Sequence, residues 1–158
     1  MKTIRRRRLE RKTDYKSRFG LLKSGKIRLV VRKSNKYISA QIVETNIAQD
    51  KVLIGVSSKD LLEKGWPKDK TGSLKNLQAA YLTGYYIGTL AKKSKINEMI
   101  LDIGLNRNIH KSRLFSLLKG VVDSGIDIPH DPEALPTEED LNKDEKLGAL
   151  INKIKDKL

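Results

Sequence analysis

Cysteine is absent from this chain of 158 residues, and histidine occurs only twice. The lack of cysteine excludes disulfide bridges, thiolate metal sites and a cysteine nucleophile, and it is typical of proteins in a reducing compartment. The two histidines, His110 and His130, lack the close spacing of a metal-binding pair. We therefore expect no metal ion, no other cofactor and no small-molecule substrate.

Long apolar runs are equally scarce. The most apolar window, Leu74–Leu90, has 17 residues and includes Lys75 and Gln78, whereas a membrane span needs about 20 predominantly apolar residues. The cationic N-terminus is not followed by an apolar stretch, as it would be in a secretory signal. We expect no membrane association and a cytoplasmic location.

Acidic residues are too few to balance the basic ones. The chain has 33 Lys and Arg against 19 Asp and Glu, a formal net charge of +14. Residues 1–126 carry a net charge of +18, and residues 127–158 carry −4. A body this basic repels itself unless a polyanion neutralises it, and a nucleic-acid backbone is such a polyanion. The charge distribution predicts a nucleic-acid-binding protein.

The first 18 residues hold half of this net charge. Nine cations face two carboxylates there, and such dense like charge cannot be buried. Arginine guanidinium groups match phosphate oxygens, and Tyr15 offers a ring on which a base could stack. We expect residues 1–18 to form an RNA-binding arm, extended or only weakly helical. Phe19, Leu21 and Leu22 should be the first buried side chains after it.

A β-hairpin is predicted after the arm. Alternating apolar residues in Ile27–Lys33 and Lys36–Glu44 flank a two-residue turn at Ser34 and Asn35, for which paired residue numbers sum to 69. In this register one face of the hairpin is entirely apolar. The other face is polar and basic, and it includes Arg28.

The rest of the pattern predicts an α/β fold. The further elements are a polar loop (Glu44–Asp50), a third strand (Lys51–Ser57), a short helix (Ser58–Gly65), a long buried helix (Ser73–Lys92), a fourth strand (Asn97–Ile103) and a second long helix (Arg113–Ser124). The third strand should pair antiparallel with the second, with Val52, Ile54 and Val56 on one face. The fourth strand, reached through a helix, should lie parallel to its neighbour. Gly84 and Gly88 predict a close approach of the long helix to the sheet.

These elements predict a single β-β-β-α-β-α sandwich-type domain with a mixed sheet and two main helices, over residues 19–126. Residues 127–158 would add a linker and a C-terminal helix. Three prolines predict the linker at 127–136, and Thr137 to Asp140 resemble a capping box that opens the helix. An apolar stripe at helical spacing follows at Leu147, Leu150, Ile151, Ile154 and Leu158.

Two further basic segments are candidate RNA contacts. The hairpin tip would present Arg32, Lys33, Ser34, Asn35 and Lys36. The loop before the second long helix would hold an anion site made by Arg107, His110, Lys111 and Arg113. A helix N-terminus favours anions, although an ordinary solvated loop is the alternative in both places. Trp66 is expected to be a packing residue rather than a stacking partner for a base.

No catalytic constellation is evident. The carboxylates Glu44, Asp102 and Asp123 lie on different predicted elements. Three antiparallel strands followed by helix, strand and helix also occur in two-metal nucleases, but those need several converging carboxylates, and only Asp102 is well placed. We expect a protein without enzymatic activity. Two alternatives are a metal-dependent, RNase-H-like nuclease and a protein that coats nucleic acid without specificity.

Six segments resemble a known family in their order and spacing. They are RRRRLERKTDY (Arg5–Tyr15), RLVVRKSNKYISAQIV (Arg28–Val43), GW (Gly65–Trp66), NLQAAYLTG (Asn76–Gly84), LDIGL (Leu101–Leu105) and SRLFSLLKGVVDSGIDIPH (Ser112–His130). Together they resemble the archaeal and eukaryotic large-subunit ribosomal proteins that bind 5S ribosomal RNA, the ribosomal protein L18 family. The resemblance covers about residues 5 to 148. One departure is Lys111, because the family usually has a glycine before the serine that opens the second long helix.

The resemblance implies an archaeal-type structural protein in the central protuberance of the large ribosomal subunit. Its expected partners are 5S ribosomal RNA, large-subunit ribosomal RNA and neighbouring ribosomal proteins. The family contacts RNA through its basic N-terminal arm and its first hairpin. Carried over to this chain, those contacts are Arg5, Arg6, Arg7, Arg8, Arg11, Lys12, Tyr15, Arg18, Arg32, Lys33, Ser34, Asn35 and Lys36.

Overall fold

A computed structural model describes residues 4, 6–10, 12–47, 49–142, 151 and 153–155 of the chain. Within these ranges the helices are α1 (Arg6–Leu9), α2 (Tyr15–Lys23), α3 (Leu77–Lys93), α4 (Arg113–Asp123) and α5 (Glu138–Asn142). The strands are β1 (Arg28–Lys33), β2 (Ile38–Asn46), β3 (Gln49–Ser57) and β4 (Ile100–Asp102). Short 3₁₀ segments cover Ser58–Leu62, where a short helix was expected, Lys68–Ser73 and Pro132–Ala134.

The four strands form one mixed sheet in the order β3-β2-β1-β4. The β1–β2 and β2–β3 pairs are antiparallel, and β4 lies parallel to β1 after the chain has crossed over through α3. Both the α/β class and the parallel fourth strand are therefore confirmed. One face of the sheet is mainly apolar and packs with α3 and α4 into the main core, in which Leu29, Val31 and Ile42 are inaccessible to solvent.

The predicted register of the first hairpin is wrong by two residues. Leu29 pairs with Ile42, and Lys33 pairs with Ile38, so paired numbers sum to 71 and the loop has four residues, 34 to 37. Ser34 closes this loop, because its backbone N–H donates to Tyr37 O over 2.9 Å and its Oγ donates to the same oxygen over 2.8 Å. A shift of two residues leaves each side chain on its predicted face, since side chains alternate with a period of two.

The second hairpin is longer than expected. The predicted polar loop at Glu44–Asp50 is wrong, because β2 and β3 both continue into it and leave a tight turn at Ile47, whose φ is 44°. The β2–β3 ladder is irregular next to Val43. This bulge moves Val52 to the other face, where it is 51% exposed, while Ile54 stays against the core. Placing Val52 and Ile54 on one face was therefore wrong.

The two main helices touch through glycine. A Cβ atom built on Gly84 would lie 2.0 Å from Leu117 O of α4, and one built on Gly120 would lie 2.1 Å from Tyr81 O of α3. Gly88 likewise meets α4 rather than a strand. The close backbone approach predicted for Gly84 and Gly88 is therefore real, but its partner is the second helix and not the sheet.

A smaller second core lies against the N-terminal part of α3. Trp66 is 2% exposed there, and its indole Nε1–H donates to Lys70 O over 3.1 Å, which confirms its packing role. Ile151 and Ile154 from the C-terminal segment are buried in this cluster. The other three residues of the predicted apolar stripe, Leu147, Leu150 and Leu158, lie outside the described residues.

The segment before the C-terminal helix is packed as well. Ile128 and Ala134 belong to the main core, and the Met99 N–H donates to Asp127 O over 3.0 Å. The predicted capping box is present, because Thr137 Oγ1 accepts from the backbone N–H of Asp140 over 3.3 Å. The division of the chain into an arm, a core and a C-terminal extension stays a prediction.

Candidate nucleic-acid interface

The second half of the predicted arm is a capped helix. Asp14 precedes α2, and its carboxylate accepts hydrogen bonds from Ser17 Oγ over 2.7 Å and from the backbone N–H of Lys16 over 3.0 Å. The Ser17 hydroxyl and the backbone N–H groups of Ser17 and Lys16 lower the pKa of this carboxyl. Tyr15 and Arg18 are thus placed on a helix. Phe19 is 68% exposed, so its prediction as a buried residue is wrong.

The first half of the arm presents arginine and lysine to solvent. Arg6, Arg7, Arg8 and Lys12 are all exposed, on α1 and just after it. Glu10 pairs with Lys12 over 2.9 Å and with Arg6 over 2.8 Å, and these two cations lower the pKa of its carboxyl. Arg5 and Arg11, which we also predicted as RNA contacts, lie outside the described residues.

A buried ion network ties this helix to the sheet. Arg28 on β1 is 1% exposed, and its guanidinium donates to Asp102 Oδ2 over 2.9 Å and to Asp50 Oδ1 over 2.8 Å. Arg18 of α2 donates to the other oxygen of Asp50 over 2.8 Å. Four segments of the chain are therefore joined by carboxylates that each contact two guanidinium groups.

Burial opposes the charged form of Asp50, but hydrogen bonds outweigh it. Donors from Thr45, Arg18 and Arg28 together hold the pKa of the Asp50 carboxyl below its usual value. Sequence reasoning missed this network, because Arg28 was placed on a polar and basic face and Asp102 was considered only as a candidate metal ligand. The signal that could have suggested it is Asp102, the one acidic residue of β4, but the pairing of β4 with β1 was needed to see its partner.

Arg32 belongs to the same network. Its Nη1 donates to Val31 O and Asp102 O, both over 2.8 Å, and its Nη2 donates to Asp102 Oδ1 over 3.0 Å. The side chain is nonetheless 45% exposed. This predicted RNA contact is therefore held by the protein while part of it faces solvent.

The hairpin tip is exposed as expected. Lys33, Asn35 and Lys36 all face solvent. The Ser34 side chain is instead used to close the loop, since its Oγ also accepts from the Tyr37 N–H over 2.9 Å. The tip thus offers two lysines and one amide.

The loop before α4 exposes the four residues predicted as an anion site, Arg107, His110, Lys111 and Arg113. Lys111 has a φ of 55° and pairs with Asp140 over 3.5 Å. The ring of His110 meets Phe115 edge to face, with 6.5 Å between centroids. Ser112 precedes α4 as its N-cap residue but makes no side-chain capping bond. All four side chains are thus exposed, and that of Lys111 is already paired with a carboxylate of the protein.

A cleft of about 790 Å³ joins two of the predicted contact regions. One wall is the N-terminal segment, with Arg7, Lys12 and Arg18, and the other is the end of β4 and the loop after it. Arg32 from the base of the first hairpin reaches the same cleft. Residues that are far apart in sequence therefore converge on one basic concavity, which we call the N-terminal cleft.

The carboxylates considered for a nuclease do not converge. Asp102 is engaged by Arg28 and Arg32, and Asp123 accepts a 2.7 Å hydrogen bond from the Tyr81 hydroxyl, whose pKa is raised by burial and by Asp123. Glu44 is exposed on β2. Over the ranges that the structure describes, no group of three His, Asp or Glu residues could hold a metal ion.

Within the same described ranges, no helix is both long enough and apolar enough to cross a bilayer.

The chain matches the family model described as ribosomal large subunit proteins 60S L5 and 50S L18, over residues 1–98 and 90–131. It is 46% identical over 151 residues to the large ribosomal subunit protein uL18 of Korarchaeum cryptofilum, covering 96% of this chain and 75% of that one. It is 45% identical over 135 residues to the uL18 protein of Aeropyrum pernix, covering 85% and 61% of the two chains. It is also 46% identical over 130 residues to the uL18 protein of Haloarcula marismortui, covering 82% of this chain and 67% of that one.

The chain belongs to this family of large-subunit ribosomal proteins. The family is a structural, non-enzymatic part of the ribosome, so the nuclease alternative is overturned. The protein is accordingly a component of the large ribosomal subunit in the cytoplasm, with ribosomal RNA and other ribosomal proteins as its partners. The expectation of a structural ribosomal protein of archaeal type is confirmed.

Proposed function

We propose that this protein binds 5S ribosomal RNA and helps to attach it to the large subunit, in the central protuberance, while also contacting large-subunit ribosomal RNA. The observation that carries the proposal is the N-terminal cleft, in which Arg7, Lys12, Arg18 and Arg32 converge from separate elements. A concave basic surface suits a folded polyanion better than scattered charges do, because it focuses the electrostatic potential. Family membership and the net charge of +14 support the same conclusion.

The proposed contacts fall into two groups with different chemistry. Arginines of the first twelve residues, together with Lys12, supply charge for phosphate oxygens, and Tyr15 supplies a ring. The hairpin tip supplies Lys33, Asn35 and Lys36 as exposed donors. Phosphate contacts fix the position of a protein on RNA, whereas contacts to unpaired bases give sequence preference. We assign the arm mainly to the first role.

The proposal is tested by measuring the affinity of the full chain for a 5S ribosomal RNA transcript and for a length-matched unrelated transcript at one salt concentration. We expect clearly tighter binding to the 5S transcript, because proteins recognise the shape and the unpaired bases of a particular folded RNA, which an unrelated transcript does not reproduce. Equal affinity for 5S RNA, unrelated RNA and duplex DNA would instead favour a protein that coats nucleic acid without specificity.

The hairpin is tested with the double variant Lys33→Ala and Lys36→Ala. Both side chains are exposed and lie outside the ion network, so the melting temperature should not change. The affinity for 5S RNA should fall, and the slope of log affinity against log salt should decrease by about two, one for each lost phosphate contact. Lys59→Ala, which removes an exposed lysine beyond the candidate sites, is the matched control. Unaltered binding by the double variant would remove the hairpin from the interface.

A further inference from the structure

Arg32 is fixed in orientation at the wall of the N-terminal cleft. Its guanidinium donates three hydrogen bonds, to Val31 O, Asp102 O and Asp102 Oδ1, over 2.8 to 3.0 Å. A planar group held at three points cannot turn about its last torsions, so little further conformational entropy is lost when a ligand contacts it.

One flat face of this guanidinium is covered by Gly104. A Cβ atom on Gly104 would lie 2.9 Å from the central Cζ of Arg32 and 3.1 Å from both Nη1 and Nη2. Because the central carbon is nearest and the two nitrogens are equidistant, the glycine lies above the plane and not at its edge. Gly104 has a φ of 61°, and its N–H donates to Asp102 Oδ1 over 2.9 Å. The Asp102 carboxylate thus holds both Arg32 and the glycine that covers one face of its guanidinium.

The Arg32 side chain nonetheless keeps exposed surface at the cleft. The Arg32 side chain is 45% exposed and lines a concavity of about 790 Å³. That volume lies within the range of about 300 to 1,000 Å³ found for pockets that hold small organic molecules, a range that admits one nucleotide. Arg7 and Lys12 stand on the facing wall, where they could neutralise its phosphate.

We propose that the N-terminal cleft receives one unstacked nucleotide of the bound ribosomal RNA, whose base stacks on the free face of the Arg32 guanidinium. Asp102 and Gly104 are positioning residues for this contact. The inference rests on the proposed function, since it assigns a role within the RNA interface to one side chain. It differs from a phosphate contact, because stacking uses the planar shape of arginine and not only its charge.

The discriminating variant is Arg32→Lys, which keeps the charge and removes the plane. With 5S ribosomal RNA as the probe, we expect affinity to fall about fivefold to a hundredfold, as for the loss of one stacked base, and the salt slope to stay unchanged. One nucleotide should also lose its protection from 2′-hydroxyl acylation. Lys59→Arg, the reverse exchange at an exposed lysine beyond the candidate sites, should leave affinity unchanged. Equal binding by wild type and Arg32→Lys, or an equal loss in Lys59→Arg, would overturn the stacking contact.

The positioning role is tested with Gly104→Ala, which would push Arg32 aside. Its effect on affinity should match that of Arg32→Lys, and the double variant should bind no worse than either single variant, because both remove one contact. Additive losses would show that Gly104 acts elsewhere and would overturn its role. A melting curve of each variant separates these losses from unfolding.

Failure of the proposed function gives a different result from failure of this inference. A wild-type protein without preference for 5S RNA overturns the proposed function, and the same variants are then measured on large-subunit ribosomal RNA. The inference is overturned on its own when wild type binds either RNA and Arg32→Lys binds it equally well.

Discussion

At the scale of single residues, the carboxylates decide how the basic side chains are arranged. Asp50 and Asp102 each contact two arginines, and Arg28 lies almost wholly inside the protein between them. Breaking a buried ion pair by removing one partner is costly, because the other charge stays desolvated. Asp50 and Asp102 are negative and are not expected to bind phosphate themselves. They nonetheless help to set the shape of the basic interface, because they hold its arginines in place.

Asp50→Asn should make stability less dependent on acid pH. The folded protein holds the pKa of the Asp50 carboxyl below its value in the unfolded chain, so Asp50 stabilises the fold above about pH 4 and this contribution is lost as the pH falls through the folded pKa. We expect Asp50→Asn to lower the free energy of unfolding by about 1 to 2 kcal/mol at pH 7. Urea titrations at pH 7 and pH 2.5 check this, and a difference that does not shrink in acid would contradict it.

Lys111 adopts a left-handed backbone conformation, with a φ of 55°. Glycine reaches this conformation without the strain that a Cβ atom brings, so Lys111→Gly should be more stable than Lys111→Ala by about 1 kcal/mol. Both variants lose the ion pair with Asp140, which cancels in the comparison. Thermal unfolding of the two proteins measures the difference, and an alanine variant of equal or higher stability would argue against strain at this position.

At the scale of elements, the contact between α3 and α4 has the least tolerance for change. Their backbones meet at Gly84 and Gly120, where a Cβ atom would lie about 2 Å from a carbonyl oxygen of the facing helix. A backbone oxygen cannot rotate away as a side chain can, so the helices would have to separate along their shared contact.

Gly84→Ala should therefore destabilise the protein by about 3 kcal/mol, at the upper end of overpacked core substitutions. The matched control is Gly20→Ala within α2, where an added Cβ would meet nothing within 4 Å. That change should stabilise the protein by about 0.5 to 1 kcal/mol, because alanine is the better helix former. Chemical denaturation of both variants is the measurement, and a neutral Gly84→Ala would mean that the two helices can move apart at little cost.

Local patterns predicted the elements better than they predicted the contacts between elements. Alternation placed β1 and β2, and helical spacing placed α3 and α4, because these signals depend on neighbours in sequence. The hairpin register was missed because a four-residue loop preserves the same faces, and the bulge beside Val43 leaves no local signature. The cleft could not be foreseen, since it depends on where α2 packs. The assignment of individual residues to RNA stays a prediction.

At the scale of the whole molecule, the net charge of +14 should make RNA binding strongly dependent on salt. If about six cations meet phosphates, the affinity for 5S RNA should fall about a thousandfold between 50 and 200 mM salt. Deletion of residues 1–12 should remove at least half of this slope, because seven of the nine arm cations lie there.

This deletion leaves the cap at Asp14 and the Arg18–Asp50 pair in place, so the melting temperature should stay within a few degrees of wild type. Affinity at a series of salt concentrations, measured by filter binding, gives the slope. An unchanged slope would place the phosphate contacts on the folded body instead of the arm.

Asp102, the more deeply buried of the two carboxylates that contact Arg28, lies 74 residues further along the chain. During synthesis both hairpins, which end at Ser57, are therefore made before Asp102 has been added. Until then the nascent chain has an unfinished sheet edge, Arg28 has Asp50 but not Asp102 as a carboxylate partner, and Arg32 lacks the two hydrogen bonds that Asp102 accepts from it. A new copy of the protein can therefore attract RNA by charge alone at first, and it acquires its shaped cleft only when β4 arrives.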